Sequence, residues 1–365
     1  MSTPPAGNKE NANPNPRFGT VQPASESQSL KRQGSVLDWG ARKKPAKSDP
    51  LVHHGRHFGR TVHAFANIHS LILAGLSIES EGLESAQQRR EYRVYKKLLK
   101  MIPNFEERLL EAEPEEIVAM ATQIQKGASS SRSDDTSSMK PVIIDWITPA
   151  EEPLKPLLAR NQKLDRGFNH PVTGRLLCPT SLDWSDPEIR TALKNKEISI
   201  SGADWPRFLY CDERYDPGDP WMGLLRGELL ISGFKHIFTS PSSTEDAPRA
   251  TRSGNARIHG MTRVTPASIA YTATQVRFAL SSATTFCRTD RDTDSETFYT
   301  SLIELLEDPE EEQETKALLS WWNGRVFPSA SNTRRIAPEN SALSNIRRKR
   351  ASRKASASGG AGTKL

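Results

Sequence analysis

The sequence predicts a mainly α-helical protein with little or no β-sheet. Three observations carry that expectation. Apolar residues recur at three- and four-residue steps over several long stretches. Helix-start signals, in which Ser, Thr or Asp stands before Pro or three residues before an acid, punctuate the chain. The alternating apolar and polar runs that make strands are scarce.

Order is expected to begin near Leu51. His57–Ala74 places Phe58, Val62, Phe65, Ile68 and Leu71 on one face, which predicts an amphipathic helix. A second runs over Leu83–Met101, with Tyr92, Tyr95, Leu98 and Leu99 on its apolar side, and Pro103 ends it. A third covers Asn104–Ala112. Pro114, followed by Glu115 and Glu116 at the positive end, opens a fourth that runs through Ile117, Met120 and Ile124 to Gly127.

The polar run 129–138 predicts a break, and 142–147 (VIIDWI) a separate buried piece. Thr148-Pro149-Ala150-Glu151 has the form of a capping box and predicts a further helix start. Residues 155–179, rich in Pro, Asn and Gly, are expected to be loop, and Ile198–Ile200 a brief strand. Asp186-Pro187 starts a short helix to about Lys194.

Asp219 before Pro220 predicts the start of a central buried helix near 220–236, because Leu224, Leu225, Leu229, Leu230, Ile231 and Phe234 cover its circumference. Residues 239–261 are expected to be irregular. Thr265-Pro266 caps a helix over 267–284, and Asp294 or Ser295 caps the next, through Phe298, Leu302, Leu305 and Leu306. The acidic turn 308–314 precedes a last helix with Leu318, Leu319, Trp321 and Trp322. A single multi-helix domain over 51–328 is expected, between disordered tails at 1–50 and 329–365.

Charge is divided unevenly. The net charge of the chain is +6, of which residues 1–50 carry +4 and residues 329–365 carry +8, so the 278 residues between carry −6. The basic character belongs to the tails and by itself gives no reason to assign nucleic-acid binding to the helical part. Three widely spaced cysteines, Cys178, Cys211 and Cys287, show no metal-ligand or redox spacing and are expected to be buried thiols in a reducing compartment. The opening is polar and Pro-rich, unlike a secretory signal. The longest apolar patch, near Leu71–Ile78, falls short of the roughly 20 residues of a membrane span. An intracellular protein without a membrane is expected, and its basic tails suit the nucleus.

Several motifs carry a family resemblance. They are HFGRTVHAF (57–65), RSDDT (132–136), YDPGDPWMGLL (215–225), FKHIFTSPSS (234–243), ATRSGNARIHGM (250–261) and FCRTDRDTDSETFY (286–299). In these the chain resembles an uncharacterised fungal, mostly basidiomycete, family with a domain of unknown function, over about 57–328. The resemblance implies no activity, substrate, cofactor or catalytic residue.

Four constellations bear on chemistry. His53, His54, His57, His63 and His69 cluster, with His53 and His57 at the four-residue spacing of helical metal ligands, but no acidic or Cys partner stands near. Exposed or capping histidines explain them without a metal. Asp290, Asp292 and Asp294 resemble the first half of a calcium loop but lack its glycine and final glutamate, so a helix cap explains them better. Asp212, Asp216 and Asp219 are candidates for a divalent metal, and turn and cap duties are the alternative.

The fourth is a basic segment: Lys235, Arg249, Arg252, Arg257, His259 and Arg263, with Gly254 and Gly260 between, are candidates for an anion or nucleic-acid phosphate. Ion pairs from these arginines to the 212–219 carboxylates are the alternative. Outside the helical part, Arg347, Arg348, Lys349, Arg350, Arg353 and Lys354 form a candidate nuclear-import cluster or nucleic-acid arm, and Trp39 stands beside a basic cluster at 42–47 that is either linker or docking segment.

These residues predict a non-enzymatic, nuclear, α-helical binding protein that contacts nucleic-acid phosphates non-specifically through its tails and the 249–263 loop. A metal-dependent enzyme acting on a phosphorylated substrate is the first alternative, and a helical scaffold with protein partners the second. No cofactor is expected outside the metal-enzyme alternative.

Overall fold

The computed structural model describes residues 50–77, 85–239, 254–289 and 294–327, with positions 342, 344–346 and 348–350. Among the described residues the chain forms twelve α-helices and no β-strand. Side-chain caps start several of them, those at Asp186 and Thr265 as the sequence suggests. Ser85 accepts from the Gln88 amide and the Gln88 side chain answers at the Ser85 amide, which starts α3 (Ala86–Met101). Asp186 caps α7 (Pro187–Lys194), and Thr265 with Ser268 caps α10 (Pro266–Leu280).

The longest element is α5 (Pro114–Ile147), a helix of 34 residues. Its first half shares a core with α1 (Pro50–Thr61), α2 (Ile68–Ser77), α3 and α4 (Phe105–Glu111), built on Phe58, Ile68, Ile72, Leu98, Phe105 and Ile124. Its second half supplies Met139 and Ile143 to a larger core with α6 (Pro171–Leu177), α8 (Glu228–Phe234), α10, α11 (Ser295–Leu306) and α12 (Glu312–Val326). The α1–α5 crossing is tight, because Gly55 and Gly127 meet across it: a Cβ at Gly127 would overlap the Val52 carbonyl oxygen, and one at Gly55 that of Ile124.

The buried helix near 220–236 is present as α8, but it starts later than Asp219-Pro220 suggests. The Leu225 amide donates to Leu209 O (2.6 Å) and the Cys211 amide to Gly223 O (2.9 Å), which draws 223–225 alongside 209–211. The helix can begin only after this, at Glu228. It continues into a π-helical turn, Lys235–Thr239. Beside it, α10 is buried from Ala267 through Leu280. The last turn of α10 is closed by two buried basic side chains: Lys163 Nζ donates to Phe278 O (2.5 Å) and Arg166 Nη1 to Ala279 O (2.8 Å).

Other sequence expectations need correction. His57–Ala74 is two helices, because the amides between them are taken by side chains: Ala64 N donates to the Tyr299 hydroxyl, Phe65 N to His63 Nδ1 and Ile68 N to Gln125 Oε1. The polar run 129–138 is not a break but the middle of α5. Thr148 opens no helix; its hydroxyl donates to Ile144 O and closes α5. The stretch 155–179 contains α6, α10 ends at Leu280, and 198–200 is not a strand. A short helix, α9 (Asn255–Ile258), lies inside the segment expected to be irregular. Asp294 precedes α11 without a side-chain cap; its carboxylate accepts instead from the Gly202 amide (3.1 Å). All three cysteines are free thiols, but only Cys178 is buried, and Cys287 is exposed.

A histidine-walled basic groove as the candidate functional site

The N-terminus of α10 is tied from two sides. Thr265 Oγ1 donates to Thr61 O at the end of α1 (2.9 Å), and the Val264 amide donates to Asn323 Oδ1 on α12 (2.8 Å). Asn255 Nδ2 reaches Ile237 O on the π-helical turn (2.5 Å), and the Met261 amide donates to Ala256 O (2.7 Å), so the 259–264 strip is led back across α1. Between these ties lies a cavity of about 840 Å³.

Its walls come from α1, α3, α9, α10 and α12 and from the segments that follow α9 and α11. α1 gives His53, His54 and His57; the end of α3 gives Lys97, Lys100 and Met101; the loop after α9 gives His259, Met261 and Arg263. Pro266 and Ala267 of α10, Glu307 after α11 and Leu319 of α12 complete it. The His259 ring stacks on His53 (4.1 Å, 29°) and on His57 (4.5 Å, 6°). These histidines are neither exposed nor capping, as the sequence suggested, but half-buried and packed on one another.

Burial and neighbouring positive charge disfavour the protonated form of His54, His57 and His259. Burial first, then Arg60, His53 and His54, lowers the His57 pKa to about 4. Burial, then His57 and His53, lowers that of His259 to about 3. Burial and His53 also lower His54. Glu307 is held by Lys97 (3.4 Å) and Arg93 (3.5 Å). Among the described residues, Lys100 and Arg263 have no carboxylate partner within ion-pair distance. The groove therefore presents uncompensated positive charge beside apolar surface from Val62, Met101, Ile258 and Met261.

The other candidates scatter. Of the six basic candidates from 235 to 263, His259 and Arg263 enter the groove; Arg257, on α9, is exposed outside it, and Lys235 begins the π-helical turn. Arg249 and Arg252 lie outside the described residues, as do Arg347, Arg353, Lys354, Asp290, Asp292 and the 39–47 cluster. Arg348, Lys349 and Arg350 are exposed at helical positions.

Asp212, Asp216 and Asp219 are exposed, and Asp216 Oδ1 accepts from the Gly218 amide (2.8 Å) within a turn. Glu213, beside them, pairs with Arg175 (2.6 Å). Among the described residues, no ion pair joins Arg257 or Arg263 to this acidic group, and no set of three His, Cys, Asp or Glu is placed to hold a metal. Nor is any helix among them long and apolar enough to cross a membrane.

Sequence reasoning missed Lys97 and Lys100. They stand one turn apart in the last turns of α3, just before the Pro103 stop, a position where cations complement the helix dipole and pass for surface residues.

Comparison with curated proteins and with solved structures found no match. Residues 126–327, more than half of the sequence, match a described family, and the chain belongs to it: the family of unknown function DUF6698.

Proposed function

We propose that this is a non-enzymatic helical binding protein that holds nucleic acid by its phosphates, with the histidine-walled groove as the seat of contact. One observation carries the proposal. Lys97 and Lys100 of α3 and Arg263 of the loop after α9 converge with four imidazoles on one cavity, where the single lining carboxylate among the described residues, Glu307, is already engaged by Lys97 and Arg93. Arginine forks and lysine ammonium groups in such a setting bind phosphate oxygens without reading bases. The family region supplies His259, Arg263, the start of α10 and Glu307, while α1 and α3, which precede it, supply the remaining basic groups. Arg249 and Arg252 and the basic cluster at 347–354 add phosphate contacts, and the cluster suits import into the nucleus.

The test is fluorescence anisotropy with a labelled oligonucleotide at salt concentrations between about 50 and 200 mM. Charge reversal by Lys100→Glu with Arg263→Glu is expected to weaken binding by about tenfold or more and to lower the salt slope by roughly one per contact removed. Deleting 329–365 is expected to lower affinity and slope further. Unchanged affinity and slope in the charge-reversed chain would sink the groove as the seat of binding.

A further inference from the structure

His53, His54, His57 and His259 crowd one wall of the groove, and the charged groups facing them come from every neighbouring element. Arg56 and Arg60, also on α1, are paired with Asp134 and Asp135 of α5, each at 2.7 Å. α3 brings Lys97 and Lys100, and the loop after α9 brings Arg263, with Arg257 just before it. After α11 comes Glu307, engaged by Lys97 and Arg93. The linings from α10 and α12, Pro266, Ala267 and Leu319, carry no charge. The histidine wall thus faces cations and already-paired carboxylates. Neither favours a proton on an imidazole, and His54, His57 and His259 are held below their ordinary pKa.

A phosphate in the groove reverses this balance. It supplies negative charge and acceptor oxygens beside the rings, and both favour the imidazolium form. We propose that the histidine wall couples phosphodiester binding to proton uptake, so that the groove grips its ligand more tightly as the pH falls. This rests on the phosphate-binding function proposed above. The sign follows from linkage: a group more basic in the complex than in the free protein takes up a proton on binding, and affinity rises as pH falls between the two values. A phosphodiester does not titrate in that range, whereas a terminal phosphate does, with a pKa of about 6.

The full-length chain and a labelled oligothymidylate without terminal phosphate make the test. Anisotropy is followed from about pH 8 to about pH 5.5 at fixed ionic strength, with circular dichroism reporting the folded state. Affinity is expected to rise about tenfold across the range, as for about one proton taken up over one unit of pH. Calorimetry of the unaltered chain in two buffers of different ionisation heat reads that uptake directly, whatever the variants do to folding. The triple substitution His53→Gln, His57→Gln, His259→Gln is expected to flatten the slope, and His69→Gln, on α2 outside the groove, to keep it. A flat pH profile with buffer-independent heats, or a folded triple variant with its slope intact, would overturn the coupling alone. Absence of binding at every pH would overturn the phosphate-binding function with it.

Discussion

Arg60 and Asp135 face each other as a two-pronged ion pair, Nε to Oδ2 and Nη2 to Oδ1 both at 2.7 Å, with both residues buried. The Tyr271 hydroxyl adds a third bond to Asp135 Oδ2 (2.6 Å), so the group joins α1, α5 and α10 at one point. Burial works against charge on Arg60, but the hydrogen bonds and charge of Asp135 outweigh it and hold the guanidinium above its ordinary pKa. Asp135→Ala would strand a buried cation, and urea denaturation is expected to show a loss of about 3–5 kcal/mol. Arg60→Met with Asp135→Leu should recover most of it. A loss of under about 1 kcal/mol in the single variant would mean that the pair is not desolvated as described.

Two glycines in helices predict opposite signs for the same substitution. Alanine outranks glycine in a helix by about 1 kcal/mol. At Gly324 in α12 a Cβ would meet nothing within 4 Å, so Gly324→Ala is expected to stabilise by roughly that amount. At Gly127 the Cβ would strike the backbone of α1, and crowding of about 1–3 kcal/mol outweighs the propensity gain. Thermal denaturation of both variants checks the crossing: equal shifts would refute it.

The N-terminus of α10 offers a third test. Thr265 Oγ1 accepts from the Ser268 amide and donates to Thr61 O, so it both caps the helix and anchors α1. Thr265→Val keeps the shape and loses both bonds, with an expected cost of about 1–2 kcal/mol. Thr265→Ser should retain most of the stability, and if valine were as stable as serine the anchoring role would fail.

Acid should loosen the fold through its histidines. Burial lowers His63 to about 4, with nearby charges adjusting that value, and its Nδ1 accepts from the Phe65 amide, a bond only the unprotonated nitrogen can make. His57, at about 4, behaves alike. Between their unfolded value near 6.5 and about 4, the unfolded chain binds more protons than the folded one. Their stabilisation is therefore full above about pH 6.5 and is lost as the pH falls toward 4. His63→Gln is expected to flatten the fall in urea midpoint over that window, and an unchanged pH profile would contradict it.

Where local chemistry decides structure, the sequence was readable. Asp186-Pro187 and Thr265-Pro266 set the starts of α7 and α10, and Pro114 with its acids that of α5. Where distant groups decide, it was not. Ser131, Arg132 and Asp135 look like a linker because they are polar, yet Asp135 is polar to meet Arg60 and Tyr271, and Arg132 donates to Ala64 O. Leu224 and Leu225 look helical because they are apolar, yet their backbone is held by Tyr210 and Leu209. The groove was legible only in part: His259 and Arg263 stood in a visibly basic segment, and His53 and His57 at a suggestive spacing. No local signal tied those two groups to each other or to Lys100, since their meeting depends on how α1, α3 and α10 pack.

The length of α5 bears on where this protein can be divided. The family match begins at residue 126, one position before the glycine on which α1 rests, in the middle of a continuous helix. A fragment cut to that boundary would lack α1 and the first third of α5. It would leave Arg60's partner Asp135 buried without its cation, and would take away the wall that carries three of the groove's four histidines. The stretch that matches the family and the stretch whose helices share the core of α1 and α5 have different edges, and the second reaches back to Pro50.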